Sequence, residues 1–334
     1  MGLALAIGCA LAFTVTNGFL DASSTVATLV ATRAGAPGRA IAAATAFNAI
    51  GALALGTAVA STISGIVTVR SAQTVHVLGA ALLAAAMWNV LMWRARLPSS
   101  SGHALLGGLI GSGLATAGAS AVRWGGLRGV RPEGVAGVLV FFALAPVLSF
   151  ALGAVIVRLQ RRMLRRASTR VIAPVRSAQW VMSSALALSH GANDGQKSMG
   201  VITALLLATG QVHVFTVPLW VKLSCAGALA LGTSMGGWRV VRTVGAGIFR
   251  MASLDGLSSE TASTAVILSL SVAGAPVASS QVVASSVVGV GAGERRLAHV
   301  RWHVVGAMGF AWLVTVPASC LLSVLLELAW GALA

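Results

Sequence analysis

Acidic side chains are scarce in this sequence, because only 7 of its 334 residues are Asp or Glu. Charged residues of both signs make up 9% of the chain, whereas hydrophobic residues make up 57% and the mean hydropathy is +0.90. A soluble domain of this size needs far more polar surface than such a composition supplies. The composition therefore excludes a soluble globular protein and predicts an all-α polytopic membrane protein.

Cysteine is also rare, and the three cysteines stand alone in apolar segments without the spacing of metal ligands. We therefore expect no metal site of the protein's own and no cofactor. The formal net charge of +16 could suggest a nucleic-acid partner. However, the arginines occur in short clusters between apolar runs, so membrane topology explains them better and no nucleic acid is expected. The first residues lack the basic region of a signal peptide and are expected to begin the first span.

Apolar runs separated by Arg, Pro or Gly predict about ten membrane segments. The strongest interruption is the segment 158–176, which holds seven arginines. Five runs precede it and five follow, and an odd number of segments in each half would give the halves opposite orientations. The sequence thus predicts a first inverted repeat at 1–157, a cytoplasmic Arg-rich linker at 158–176 and a second inverted repeat at 177–334. The runs lie near 3–33, 39–60, 73–93, 99–120, 134–157, 177–209, 213–235, 257–275, 277–293 and 302–328.

The distribution of arginine predicts the orientation. With the central linker inside, the inside loops collect 17 arginines and the outside loops only four, Arg70, Arg123, Arg128 and Arg131. Cytoplasmic loops carry the excess of positive charge, so both termini are predicted to be extracytoplasmic. The outside cluster from Arg123 to Arg131 runs against this trend.

Three features recur in the same order in the two halves. Asp21 in the first half has Asp194 as its counterpart, and the hexapeptide 52–57 recurs unchanged at 228–233. The third pair consists of Pro98-Ser99-Ser100-Ser101-Gly102-His103 and Pro276-Val277-Ala278-Ser279-Ser280-Gln281. The matched order favours a duplication over chance.

The two aspartates are the strongest functional signal. An ionised carboxylate inside apolar, membrane-length sequence is costly and marks an ion or substrate site. Because Gly and Asn accompany each aspartate, we expect two broken helices whose free backbone groups bind ions, with the aspartates meeting near the bilayer midplane. The alternative is a kinked helix whose aspartate is satisfied by a neighbouring helix.

The serine motifs place hydroxyl groups after a proline at the predicted start of a helix. Hydroxyls and backbone amides at a helix N-terminus suit a tetrahedral oxyanion, although small residues also serve helix packing. Glu260 begins an apolar run and is either an interfacial cap or an ion-coupling carboxylate. His103 and His190 could each carry a proton near neutral pH, or form a hydrogen bond between helices.

At these residues the chain resembles the PiT (PHO4) family of inorganic phosphate transporters, of the bacterial low-affinity permease type. The resemblance implies a symporter in the cell membrane that imports phosphate with protons or sodium through two inverted repeats. It also implies that bacterial proton-coupled members carry phosphate partly as a neutral complex with a divalent metal. The expected partners are phosphate and the lipid bilayer, with a homodimer as a candidate assembly. The resemblance runs through 17–33, 98–111, 190–200, 236–240, 259–261 and 276–291.

These signals together predict the site residues. No catalytic residue is expected, because a duplicated Asp without a second His argues against a single catalytic centre. Two buried carboxylates argue against a passive anion channel. For substrate we expect Ser100, Ser101, Ser279, Ser280, Asn193, Lys197 and Gln281. For ion coupling we expect Asp21, Asp194, Asn17, Ser24, Glu260 and His103.

The chain departs from the family pattern at several positions. Gly102 and Ala278 each remove a hydroxyl, and Gln281 replaces a histidine. Ser24 and Lys197 stand where sodium-coupled relatives usually carry an amide. Because an ammonium has only donors and cannot ligate sodium, these departures favour proton coupling, with Lys197 neutralising Asp194. Sodium coupling and a different tetrahedral anion, such as sulfate, remain the alternatives.

Overall fold

The computed structural model describes residues 2–95, 97, 99–236, 247–294 and 297–333. Pro98 of the first serine motif and the family-like stretch Gly237–Val240 lie outside the described residues. So do Arg96, Arg239, Arg242, Arg295 and Arg296, which entered the count of inside arginines.

The described residues form eleven α-helices and one short β-hairpin, so the predicted helical membrane protein is confirmed. Five helices (α1, α4, α5, α6 and α11) are long and apolar enough to cross a membrane, and α2 and α3 form a sixth such segment that is bent by 75°. The helices are α1 Leu3–Ala31, α2 Pro37–Ala54, α3 Ala58–Ser64, α4 Ser71–Arg94, α5 Ser101–Ala117, α6 Gly134–Met163, α7 Ile172–Ala208, α8 Leu219–Ser234, α9 Ser253–Val272, α10 Ser279–Gly293 and α11 Trp302–Leu333.

The Arg-rich segment 158–176 is largely helical. Helix α6 continues to Met163 and α7 begins at Ile172, so the connection between them is shorter than the predicted linker. An arginine near the end of a membrane helix can keep its guanidinium group at the polar interface, because its side chain is long. Helical structure in this segment is therefore compatible with its many arginines.

Both aspartates lie within continuous helices, so the prediction of breaks at Asp21 and Asp194 is wrong. Asp21 belongs to the 29-residue α1, and Asp194 belongs to the 37-residue α7. Gly18 and Gly191, each three residues before its aspartate, serve close packing instead. A Cβ atom at Gly18 would overlap the carbonyl oxygen of Leu229, and one at Gly191 would overlap that of Asn48.

The discontinuities occur elsewhere in the chain. Helices α2 and α3 are separated by a sharp bend, and α5 and α10 begin inside the protein after the non-helical residues 99–100 and 275–278. Ser99 and Ser100 are fully buried, as are Ala275 and Val277. Non-helical backbone at this depth is tolerated only where protein groups satisfy it.

The recurring hexapeptide does not mark equivalent positions. Residues 52–54 end α2 and residues 55–57 form the bend, whereas residues 228–233 lie entirely within α8. The glycine contacts indicate a different alignment of the two halves. Gly51 packs on Leu188, six residues before Asp194, and Gly232 packs on Val15, six residues before Asp21. Gly51 of the first half therefore corresponds to Gly232 of the second. The repeated Ala/Leu letters are coincidental, as a chain rich in both residues allows.

Two apolar clusters enclose a polar layer. One cluster contains Phe13 of α1 and Met199 of α7, and the other contains Val26 of α1 and Leu186 of α7. Both helices therefore pass from one cluster to the other, and Asp21 and Asp194 lie between these apolar residues along their helices. The polar layer is where the candidate site is assembled.

Glycine packing between α2 and α7 gives a testable expectation. Gly191→Ala should lower the free energy of unfolding by about 1–3 kcal/mol or more, because its Cβ atom would overlap the Asn48 carbonyl oxygen. Gly227→Ala in α8 is the matched control, since nothing lies within 4 Å of its Cβ position. Thermal inactivation in detergent would compare the two variants, and equal stability would contradict the tight contact.

Candidate functional site

The structure brings the two aspartates together where α1 and α7 pack. Ligand atoms of Asp21, Asp194 and His190 all lie within 4.8 Å of one another. Asp21 is 2% exposed, while Asp194 and His190 are completely buried. Two carboxylates this close repel one another unless donors or cations compensate them. The neighbouring side chains supply those groups.

Asn17 bridges the two carboxylates from α1. The orientation that satisfies its amide places Nδ2 2.8 Å from Asp21 Oδ2 and 3.1 Å from Asp194 Oδ2. With the opposite orientation the amide oxygen would face only acceptors. Asn17 thus lies in the predicted ion-coupling cluster, one helical turn before Asp21.

Lys197 provides the nearest fixed positive charge. Its Nζ donates to Asp194 Oδ1 at 2.6 Å and to the Val277 carbonyl oxygen at 3.0 Å, and the side chain is 1% exposed. An ammonium has three N–H groups, so one further donor is available. A Cβ atom added at Gly102 would lie 3.2 Å from Nζ. The absence of a side chain at Gly102 therefore leaves room for the ammonium, which gives this departure from the family pattern a physical reason.

One serine of each motif contacts its own aspartate. Ser101 donates to Asp21 Oδ2 at 2.7 Å, and Ser279 donates to Asp194 Oδ1 at 3.4 Å. These serines are the first residues of α5 and α10, so two helix N-termini lie beside the carboxylates. The unpaired N–H groups and the positive dipole end of such termini favour anions.

The second serine of each motif has a different neighbour. Ser100 is the N-cap of α5 and accepts from the His103 backbone N–H, and its Oγ lies 2.7 Å from His103 Nδ1. Ser280 donates to the Ser99 carbonyl oxygen at 3.0 Å and so joins the two motifs. Among the described residues, neither hydroxyl forms a hydrogen bond to an aspartate. Their predicted binding role stays a prediction.

His103, Gln281 and Ser24 lie around the site rather than at the carboxylates. His103 stacks on Phe142 with ring centroids 4.2 Å apart and is 8% exposed. Gln281 and His103 line the same mainly apolar cavity, which opens between α5, α6, α10 and α11. The Ser24 hydroxyl is buried without a hydrogen-bond partner among the described residues. A buried hydroxyl with free bonding capacity fits an ion or water ligand.

Asn193 and Gln196 hold the non-helical backbone in place. Asn193 donates to Ser271 Oγ at 2.8 Å and accepts from the Val277 N–H at 3.2 Å. Gln196 accepts from the Val59 N–H at 2.9 Å and donates to the Leu55 carbonyl oxygen at 2.8 Å, across the bend between α2 and α3. Asn193 therefore has the geometry of a positioning residue, although we predicted it to bind substrate. Its position directly before Asp194 could not distinguish the two roles.

Glu260 lies apart from the aspartates. Its Oε1 accepts from Thr28 at 2.5 Å and from Gln179 Nε2 at 3.3 Å, while Oε2 has no partner among the described residues. Thr28 is two helical turns beyond Asp21, which corresponds to about 10 Å along α1. The structure thus forms a separate buried carboxylate site, and it does not bring Glu260 into the central cluster.

His190 belongs to the site, although the sequence raised it only as a possible proton carrier and the expected site residues did not include it. Its Nε2 lies 3.2 Å from Asp194 Oδ2, and its Nδ1 lies 3.1 Å from Asn48 Oδ1. Asn48 donates through Nδ2 to Thr233, so its oxygen is directed at a protonated Nδ1 of His190. The sequence spacing of His190 and Asp194 could have indicated this contact, because residues four apart lie on the same face of a helix. Asn48 had no comparable signal.

The assembled groups can bind both an oxyanion and a cation. Asp21 and Asp194 offer acceptors, Lys197 and two helix N-termini offer donors, and all of them are shielded from solvent. Three groups, Asp21, His190 and Asp194, have the spacing to contact one divalent cation. The ammonium of Lys197 already neutralises one of the carboxylates. Such a balanced, buried set suits co-transport of opposite charges rather than covalent catalysis.

Comparisons with known proteins agree with this geometry. The model of the phosphate transporter family, PHO4, matches residues 17–323. The chain belongs to the phosphate transporter family. Its relatives are transporters, so the prediction that it is not an enzyme is confirmed.

Curated bacterial relatives match over nearly the whole chain. A probable low-affinity inorganic phosphate transporter of Rhizobium meliloti (strain 1021) is 38% identical over 96% of this chain and 93% of its own length. The protein of the same description from Bacillus subtilis (strain 168) is 34% identical over 95% and 94%. One from Mycobacterium bovis (strain ATCC BAA-935 / AF2122/97) is 40% identical over 94% of this chain and 74% of its own length.

A solved structure described as the sodium-dependent phosphate transporter has the same fold. It superimposes with a TM-score of 0.86 over 99% of both chains, at 22% sequence identity. At this identity the likeness establishes the fold of the transporter and leaves its coupling ion open.

Proposed function

We propose that this transporter is a symporter that imports inorganic phosphate together with protons. The observation that carries the proposal is the Lys197–Asp194 pair, in which the ammonium lies 2.6 Å from Asp194 Oδ1. A sodium ion at that carboxylate would compete with a fixed charge that offers donors only. Protons have acceptor positions nearby at Asp21 and at His190 Nε2, and a further one at the separate Glu260.

Phosphate is the favoured anion on chemical grounds. Near neutral pH it carries a proton that it can donate to a carboxylate, whereas sulfate carries none. Asp21 and Asp194 would therefore accept from phosphate and repel sulfate. The serines at the starts of α5 and α10 and the third N–H of Lys197 supply donors for the remaining oxygens. An excess of unlabelled sulfate should compete poorly with labelled phosphate, and effective competition would favour the rival anion.

The coupling ion can be identified by radiolabelled phosphate uptake into proteoliposomes. With sodium and proton gradients imposed separately, we expect an inward proton gradient to drive uptake in the absence of sodium. Liposomes without protein provide the background. Uptake that requires sodium at constant pH, and ignores the proton gradient, would contradict proton coupling and support the sodium-coupled alternative.

A divalent metal enters the proposal as co-substrate. A neutral metal–phosphate complex would cross a buried site at a lower electrostatic cost than a bare anion. Asp21, His190 and Asp194 are the groups that would contact the metal. We expect uptake to fall when a chelator removes divalent cations from both sides of the membrane and to recover when magnesium is restored. Equal uptake under both conditions would limit the substrate to free phosphate.

The inverted repeat is supported by reciprocal packing. Helix α1 packs on α8 as α2 packs on α7, and α5 packs on α11 as α10 packs on α6. If α1, α2, α5 and α6 are exchanged with α7, α8, α10 and α11 in that order, each of these contacts becomes its counterpart. A two-fold relation between the halves would have this effect. Pro146 and Pro317 also lie inside the corresponding helices α6 and α11.

Two further proposals concern the placement of the protein in the cell membrane. The count of arginines favours extracytoplasmic termini and a cytoplasmic connection between α6 and α7, which labelling of single introduced cysteines in intact cells would test. A homodimer is proposed as the assembly because two-fold dimers are the commonest symmetric oligomers. Crosslinking in native membranes that yields only monomers would contradict it.

A further inference from the structure

The β-hairpin lines a cavity of about 430 Å³ that the transport site does not include. Strand β1 spans Gly126–Arg128 and β2 spans Arg131–Glu133, and Gly129 at the turn has φ 63°. Three arginines of this region, Arg123, Arg128 and Arg131, border the cavity together with Glu133. The hairpin and Arg123, which precedes it, supply three of the four arginines that run against the positive-inside trend, so topology does not explain them.

The backbone that leads into the hairpin is anchored to a neighbouring connection. The Arg123 backbone N–H donates to the Ile66 carbonyl oxygen at 2.9 Å, and the Thr68 N–H donates to the Ala121 carbonyl oxygen at 2.8 Å. These bonds tie the start of the hairpin segment to the connection between α3 and α4. The segment that carries the three arginines is therefore attached to the rest of the protein beside the cavity they line.

The charges on the hairpin are not balanced within the protein. Arg128 and Arg131 are directly opposed in the antiparallel register, an arrangement that is destabilising for like charges. Within the described ranges neither has a carboxylate within 4.0 Å. Glu133 lies 3.7 Å from Arg123 Nη1, in an exposed pair that adds little stability. The cavity thus has an excess of positive charge that a bound anion would relieve.

The inner wall of the cavity is connected to residues beside the transport site. Ala58, Thr62 and Gly274 are wall residues, and Thr62 donates to the Gly274 carbonyl oxygen at 2.7 Å. The next residue, Ala275, accepts from Asn193 Nδ2 at 3.4 Å, and Asn193 precedes Asp194 in α7. The non-helical segment that follows Gly274 therefore contacts Asn193 through Ala275 and Lys197 through the Val277 carbonyl oxygen.

We propose that this cavity is a vestibule in which Arg123, Arg128 and Arg131 capture phosphate before it enters the buried site. The inference rests on the proposed function, and it adds a second, peripheral anion site on the side of the hairpin. Guanidinium groups bind the oxygens of phosphate in pairs, and a cleft of one sign concentrates the opposite ion. The wall at Ala58 and Gly274 then separates capture from transport.

The test is the dependence of uptake on phosphate concentration in the full-length protein. Arg128→Gln/Arg131→Gln should raise KM on the order of ten-fold and leave the maximal rate unchanged, because the buried site is intact. Arg128→Glu/Arg131→Glu should raise KM further, and Glu133→Gln should lower it. High ionic strength should shrink these differences, since salt screens exposed charges.

The matched control removes the same charge from another exposed position. Arg165→Gln/Arg166→Gln, in the connection between α6 and α7, should keep the wild-type KM. If wild-type protein fails to transport phosphate, the proposed function is wrong. If wild-type uptake is robust but the hairpin variants keep its KM, or lose only maximal rate, the vestibule is wrong.

Discussion

Replacing Asp194 by asparagine should abolish phosphate uptake and lower the free energy of unfolding by about 3–5 kcal/mol. The reason is that Lys197 would remain charged in a position where it is 1% exposed and has lost its carboxylate partner. Uptake into proteoliposomes and thermal inactivation in detergent would measure the two effects separately. Near-normal uptake by this variant would contradict the central role given to Asp194.

A double variant separates stability from transport. Asp194→Asn/Lys197→Gln removes both charges of the pair, and replacing a buried ion pair as a whole is often neutral for stability. We expect it to regain most of the lost resistance to heat but not the uptake. Recovery of transport together with stability would mean that the pair serves folding alone.

The Ser101→Ala/Ser279→Ala variant should reduce phosphate uptake by at least about 10-fold, because the hydroxyls proposed to donate to phosphate are lost and a single hydrogen bond to a charged group contributes about 1.5–3 kcal/mol. Ser101 donates to Asp21 at 2.7 Å, whereas Ser279 donates to Asp194 at the longer distance of 3.4 Å. The Ser101→Ala single variant should therefore account for most of the loss.

Control measurements decide whether these serines bind or pack. The double variant should still insert into the membrane, and its free energy of unfolding should fall by no more than the loss of these hydrogen bonds explains, about 1.5–3 kcal/mol for each bond to a charged group. Ser269→Ala is a suitable comparison, because that hydroxyl bonds only to the backbone of its own helix in the described contacts. Unchanged uptake in the double variant would assign both serines to helix packing.

The sequence could identify the charged site residues, because burying a charge in a membrane segment is costly and such residues are therefore rare there. Asp21 and Asp194 stood out because an ionised carboxylate in apolar sequence is costly, and Lys197 stood out because it departs from the family pattern. The meeting of the two aspartates was predicted from their matched positions in the two halves, and the pairing of Lys197 with Asp194 was predicted from their closeness in sequence. His190 had the same kind of signal at four residues. Asn48 and Gln196 had none, since their partners lie on other helices.

Local breaks were predicted less well than site residues. Gly and Asn beside the aspartates suggested broken helices, yet α1 and α7 are continuous there. A glycine in a helix can either weaken the helix or allow close packing of another backbone, and the sequence of one helix does not show which occurs. In this protein α8 packs closely on Gly18 and α2 packs closely on Gly191, so both glycines serve packing.

The sequence by itself determined the membrane class, the family, the ten apolar runs and the pair of aspartates, because these depend on composition, local order and the cost of buried charge. Only the tertiary structure decided that Glu260 forms a separate site, that Gly102 leaves room for Lys197, and that the hairpin arginines line a cavity. These outcomes depend on contacts between residues far apart in the chain. Hydropathy and spacing describe neighbours along one segment, whereas the packing of α1, α5, α7 and α10 places their side chains within bonding distance.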